Sequence, residues 1–221
     1  MIRNFYLQLV LAIVFFVSFP IMGLSQLALE LRAGLSTTVV ESSNLNHNNY
    51  SGGQGVYIGA CLNLPISNRF KLFSSLEFSQ NSFRRQVAGM VTDTLSIFRD
   101  YYENYRALNI PILLSLEMNE FVSVSAGLAF GYNMSANQKG HESYEGPNTD
   151  FFDPSFEKKS ANFNPFSIGI LSRVQVKMGS RWHCEFGYSH GISNYFEDVT
   201  EFDNAKMRTY SVGIGCKISM K

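Results

Sequence analysis

Apolar side chains occupy every second position in eight separate stretches of this chain, while the positions between them are crowded with glycine, serine and alanine. In the cleanest stretch, residues 122–133, Val122, Val124, Ala126, Leu128, Phe130 and Tyr132 alternate with Ser123, Ser125, Gly127, Ala129, Gly131 and Asn133. A period of two belongs to β-strands, whose successive side chains point to opposite faces. The other stretches cover residues 27–35, 55–66, 70–79, 106–118, 166–178, 182–189 and 210–218. No window carries a helical stripe, and no repeat of solenoid type is present.

The connectors alternate too. About two residues join the second stretch to the third (Ser67-Asn68), the fourth to the fifth (Asn119-Glu120) and the sixth to the seventh (Gly179-Ser180). The other four, roughly 40–54, 81–104, 135–162 and 193–206, are long and polar. Short turns at one end and long loops at the other are the pattern of a transmembrane barrel, with the short turns periplasmic. Most stretches also reach the ~9–11 residues that a tilted spanning strand needs.

A soluble barrel alternates as well, but its outward face must be richly charged. Here charged residues are only 16% and aromatics reach 14%. The small residues of the polar face suit the cramped interior of an eight-stranded barrel. The apolar face carries Tyr132, Phe166 and Tyr210 toward the long loops, and Phe70 and Trp182 toward the short turns. Two aromatic girdles at the membrane interfaces require that placement. The expected fold is therefore all-β: one eight-stranded antiparallel transmembrane β-barrel of the outer-membrane type, with short periplasmic turns and long extracellular loops.

An apolar run from Phe5 to Leu24 follows Arg3 and gives way to the small residues Gly23 and Ser25. Its length nearly suffices for a helical anchor, but Pro20 and the onset of strand periodicity at Leu27 favour a cleaved leader. Residues 1–25 are thus an expected signal peptide. Residues 26–221 are the barrel, placed in the outer membrane of a Gram-negative-type bacterium with both termini periplasmic. The formal net charge is zero, which gives no electrostatic footprint for a nucleic-acid partner. Cys61, Cys184 and Cys216 form neither a disulfide framework nor a metal-ligand spacing. Whether Cys184 and Cys216, on neighbouring stretches, pair depends on the register. No catalytic, cofactor-binding or metal-binding set emerges, and no cofactor is expected.

The inward face carries Glu30, Glu77, Glu117 and Glu185 beside Arg32, Lys71, Arg173, Lys177 and Lys217. Buried charges need partners, so an ion-pair network filling the bore is expected, with a small gated channel as the alternative. An enzymatic reading rests on His190, Ser193 and Asn194, with Glu197 beyond, which loosely resemble the His-x-Ser-Asn arrangement of outer-membrane lipid A deacylases. The His-x-x-Ser spacing here places the two side chains on opposite faces of a regular strand, whereas nucleophilic catalysis needs them within hydrogen-bond reach.

The long loops hold Glu197, Asp198, Glu201 and Asp203 in one case. Another combines Glu142, Glu145, Asp150, Asp153 and Glu157 with Phe151, Phe152 and Phe156. No Ca²⁺-loop spacing is present. Solvated polar loops are expected, with cations bridging lipopolysaccharide as the alternative, and the aromatics either pack across the mouth or meet a partner. A non-enzymatic protein is expected whose long loops bind a partner or stabilise the envelope. The expected partners are outer-membrane lipids and lipopolysaccharide, the barrel-assembly machinery during insertion, and a protein at the long loops, with the barrel itself a monomer. Pro111 interrupts the fourth stretch. A closed barrel has no edge to shelter it, so a missing ladder bond or a bulge is predicted there, with the ring facing the lumen.

Three short motifs carry a family resemblance: Ser25-Gln26, the Leu-Asn-Ile-Pro-Ile-Leu-Leu of Leu108 to Leu114, and the Gly-Tyr-Ser-His-Gly-Ile-Ser-Asn of Gly187 to Asn194. Together they resemble the PorT-like outer-membrane β-barrel family, over essentially the whole mature chain. The resemblance implies a porin-like outer-membrane barrel and adds a secretion apparatus to the expected partners. The ending Ile218-Ser219-Met220-Lys221 departs from the aromatic residue on which such barrels usually finish. Recognition by the insertion machinery therefore rests on an atypical terminal strand.

Overall fold

Among the described residues nine strands form: β1 (Ala28–Glu41), β2 (Asn48–Pro65), β3 (Phe70–Thr92), β4 (Leu95–Glu117), β5 (Val122–Glu145), β6 (Phe151–Lys159), β7 (Phe166–Met178), β8 (Trp182–Gly191) and β9 (Lys206–Ile218). The computed structural model describes residues 28–41, 48–92, 95–145, 151–159, 163–195 and 205–218. The expected signal peptide, the terminal residues 219–221 and the acids Glu197, Asp198, Glu201 and Asp203 lie outside the described residues.

All pairings are antiparallel. The ring runs β1-β2-β3-β4-β5-β7-β8-β9 and closes where β9 returns to β1, with Leu35 opposite Val212 and Ala33 opposite Ile214. Eight strands make the wall, as the alternation predicts. The remaining strand, β6, pairs among the described residues only with the outer half of β5. The start of β1 and the end of β9 lie at the end that carries the short turns. Those turns are tightly bonded. Asn119 Oδ1 accepts from the amides of Phe121 and Val122 at 2.8 and 2.7 Å, an Asx turn. Gly179 takes φ +85° between β7 and β8, a conformation that costs glycine little.

The two faces separate as the sequence predicts. Leu35 is 62% exposed and Ile58 60%, whereas Phe73 and Leu113, on the inward face, are each 1% exposed. Aromatic pairs sit on the outward face at the level of the long connectors: Tyr132 against Phe166 at 5.4 Å and Tyr188 against Tyr210 at 5.2 Å. Phe70, Phe121 and Trp182 mark the opposite rim. No helix among the described residues is long and apolar enough to span a membrane, which leaves the strands to do so.

The connectors at 81–104 and 135–162 depart from the expected loops. β3 and β4 pair continuously beyond the apolar belt, from Gln80↔Arg106 to Met90↔Ser96, and β4 and β5 do so up to Ser96↔Glu145. Strands of 23 residues tilted near 45° rise about 50 Å, roughly twice the ~25 Å apolar band. The alternation persists there but loses its apolar half, because the outward face leaves lipid for water; hydrophobicity alone then no longer reports a strand.

Pro111 produces a ladder gap and no bulge. Ser74↔Ile112 and Glu77↔Asn109 bracket two unpaired positions in an unchanged register. The loss of one N–H donor accounts for both. The ring is fully buried in the bore and pairs with Ala129 on the other side. Pro111→Val keeps the volume and supplies the missing amide. Hydrogen exchange is expected to find that amide protected, with stability changed by no more than about 1 kcal/mol.

The cysteines are all free. Trp182, not Cys184, lies opposite Cys216, so the two outward thiols are offset by one pair on the same face.

Candidate functional site

Two rings of directly opposed inward residues build the centre of the bore. The first runs Glu77, Gly59, Arg32, Gly215, His183, Lys177 across six strands. The second runs Tyr57, Gly34, Gly213, Glu185, Gln175. In both, long side chains lie flat over the glycine beside them. A Cβ at Gly59 would stand 2.8 Å from Glu77 Cγ, and one at Gly215 2.1 Å from His183 Cε1. Tyr57 crosses two glycines in succession, so a Cβ at Gly213 would stand 2.1 Å from its hydroxyl. The glycines are what let side chains from separate strands meet at the axis.

Where they meet, charges pair. Arg32 donates from Nη1 to Glu77 at 3.1 Å and from Nη2 to Glu185. Arg173 Nη2 reaches both Glu77 oxygens at 2.9 Å, and Ser75 Oγ donates to Glu77 at 2.6 Å. Tyr57 donates its hydroxyl to Glu185 at 2.6 Å. The Arg32 guanidinium lies 4.5 Å from the centre of the Phe73 ring, which packs with Cys61, Leu113 and Leu171. Nearer the periplasmic mouth, Lys71 and Lys177 hold Glu117 at 2.7 and 2.8 Å. Glu30 approaches His183 at 4.0 Å, and Lys217 stays exposed opposite Glu30.

Of the nine charges predicted for the bore, seven thus join ion pairs directly, and an eighth, Glu30, borders His183. Tyr57, His183 and Phe73 complete the arrangement without a sequence signal of their own. Their roles depend on which glycine falls opposite each, a matter of register.

A second obstruction lies toward the extracellular end. Tyr195 packs edge to face against Phe83 at 5.6 Å and Tyr105 at 5.5 Å, Phe83 and Tyr105 lie tilted at 6.4 Å, and Val40, Ala107, Ala136 and Ala205 surround them. Between the two levels lies a cavity of about 150 Å³ of mixed lining, with Glu77 and Arg173 at one end and Tyr105 and Tyr195 at the other. Room for on the order of five waters follows from that volume.

The His190–Ser193 pair is not assembled for catalysis. His190 sits at an outward position between Ile170 and Arg208, while the Ser193 hydroxyl accepts the Ile168 amide at 2.9 Å. Above the membrane, the strand extensions carry their own ion pairs, Arg84 with Asp100 at 2.8 Å and Arg99 with Glu142 at 3.0 Å. The Arg84 hydrogen bond holds the Asp100 carboxyl below the usual carboxylate range. The side chains of Phe151, Phe152 and Phe156 lie outside the described residues.

A family model described as the outer membrane protein beta-barrel domain matches residues 9–197. The chain belongs to that family. An outer membrane beta-barrel protein of this kind sits in the outer membrane of a Gram-negative bacterium, as the lipid-facing belt requires. Solved structures with similar folds include Ail, the attachment invasion locus protein of Yersinia pestis, at 13% identity over 86% of this chain and 98% of that one, TM-score 0.42. Neisserial surface protein A is 12% identical over 86% of this chain and 97% of that one, TM-score 0.47. OprG from Pseudomonas aeruginosa is 10% identical over 87% and 96%, TM-score 0.37. No curated protein matches this outer membrane beta-barrel protein in sequence.

Proposed function

We propose that this barrel is a non-enzymatic surface protein that works through its extracellular sheet, engaging a protein partner outside the cell. The observation behind this reading is the continuation of β3, β4 and β5 as a paired sheet far past the apolar belt. A strand that merely has to span would end at the girdle. Ordering some twenty extra residues per hairpin costs conformational entropy, and a rigid sheet presents a binding surface with little left to order. A secretion apparatus, suggested by the PorT-like motifs, belongs to the class of partner this reading admits. Membrane lipids hold the barrel, and it acts as a monomer.

The test is crosslinking in intact cells of the full chain and of a variant with residues 85–101 replaced by a short turn. The variant keeps every wall strand and is expected to fold. A specific adduct present with the full chain and absent with the variant supports the proposal; identical adducts from both overturn it. A narrow channel is the second reading, favoured by the 150 Å³ cavity between the two obstructions. Conductance distinguishes it.

A further inference from the structure

The wall is not uniform at its outer rim. Between Gly52↔Phe83 and Val56↔Gln80, β2 places three residues against two of β3. Gly53, Gln54 and Gly55 stay paired to β1 but lose their partners on β3. A side chain could not replace either glycine. A Cβ at Gly53 would stand 2.1 Å from the Ser82 carbonyl oxygen, and one at Gly55 2.5 Å from that of Gln80. Two side-chain bonds cross the gap: Ser82 Oγ donates to the Gln54 carbonyl at 2.8 Å, and on the inward side Ser36 Oγ donates to Asn81 Oδ1 at 2.6 Å.

Backbone groups released from a ladder are costly in hydrocarbon. This gap lies at the interface, level with Tyr210 of the aromatic girdle, and a groove of about 580 Å³ runs into it from the outward face, reaching the inward Ser36, Asn81 and Ser211 at its floor. The groove is divided by chemistry. Leu35, Val56 and Val212 form its membrane-ward half, all strongly exposed, while Gln54, Gln80 and Asn104 form the half toward the cell exterior. Arg106 stands directly opposite Gln80 on the same face, exposed and without an ion-pair partner among the described residues.

We propose that this groove binds one molecule of a phosphorylated glycolipid of the outer leaflet. Location decides the occupant: what touches this face is membrane, and the apolar half continues the lipid-facing belt. An acyl chain lies along Leu35, Val56 and Val212. The amide side chains hydrogen-bond sugar and amide groups of the head, and Arg106 takes a phosphate. A guanidinium fork suits phosphate geometry. The β2–β3 gap is thus the seat of a headgroup, and its released backbone groups gain partners from it.

Native mass spectrometry of the purified, folded protein tests this with three probes: bis-phosphorylated lipid A, its dephosphorylated form and phosphatidylcholine. The wild-type protein is expected to retain a single lipid A in preference to phosphatidylcholine. Arg106→Gln is expected to lower retention of the phosphorylated form about fivefold and to leave the dephosphorylated form unchanged. Gln54→Leu with Gln80→Leu lowers both. Arg84→Gln, whose ion pair lies farther out, changes neither. All these positions face outward, and heat-modifiable migration confirms that each variant folds. Equal retention of lipid A and phosphatidylcholine overturns the proposal, as does an Arg106→Gln variant that holds phosphorylated lipid A like wild type.

Discussion

Glu77→Ala is expected to destabilise the folded barrel by about 3–5 kcal/mol, the scale for removing one member of a buried ion-pair network. The carboxylate accepts from Ser75, Arg32 and Arg173 and is 6% exposed. Without it, Arg173 loses its only carboxylate partner among the described residues, while Arg32 keeps Glu185. The asymmetry makes a sharper test. In a double-mutant cycle, Glu77→Ala and Arg173→Ala together should cost clearly less than the sum of the two singles. Urea unfolding in detergent micelles, read by the heat-dependent gel shift, measures all four proteins. Additive costs would show that the two charges act independently.

Gly213→Val is expected to have the second-largest effect. The new side chain would enter the space of the Tyr57 hydroxyl and crowd the Ala33 carbonyl oxygen, 2.7 Å from the ideal Cβ. Overpacking of this kind costs about 1–3 kcal/mol. Displacing Tyr57 also removes its charge-assisted bond to Glu185, worth about 1.5–3 kcal/mol. Shortening Tyr57 should relieve the first cost only, so Gly213→Val with Tyr57→Leu is expected to recover part of the loss. Gly187→Ala is a milder comparison, because the nearest atom there is the movable Ser211 hydroxyl. Equal costs at Gly213 and Gly187 would mean that the inward glycines serve backbone freedom rather than clearance for particular side chains.

Strand identity, the inward and outward faces and the short turns were legible in the residues, since lipid demands an unbroken apolar face and the bore demands small or paired side chains. Leu108 to Met118 read correctly as a lipid-facing row even across Pro111. The polar outer halves of β3, β4 and β5 were not legible, because the outward face there meets water and loses the apolar row that marks a spanning strand. Nor was the centre of the bore. Glu77, Arg32 and Glu185 were visible as charges. That they meet through Gly59, Gly34 and Gly213 depends on how eight strands are staggered, and a period of two is blind to slips by two. The β2–β3 gap escaped for the same reason: Gly52-Gly53-Gln54 reads as the end of a polar loop, and Gly55 as the start of a strand, until the partner strand shows where pairing stops.

The wall is a closed eight-stranded barrel whose bore is obstructed by the Arg32–Glu77–Glu185–Arg173 network. Single-channel recording of the folded protein in planar bilayers tests it most directly. The expected result is a flat current trace at every holding potential. Discrete openings of uniform size from the wild-type protein would contradict it.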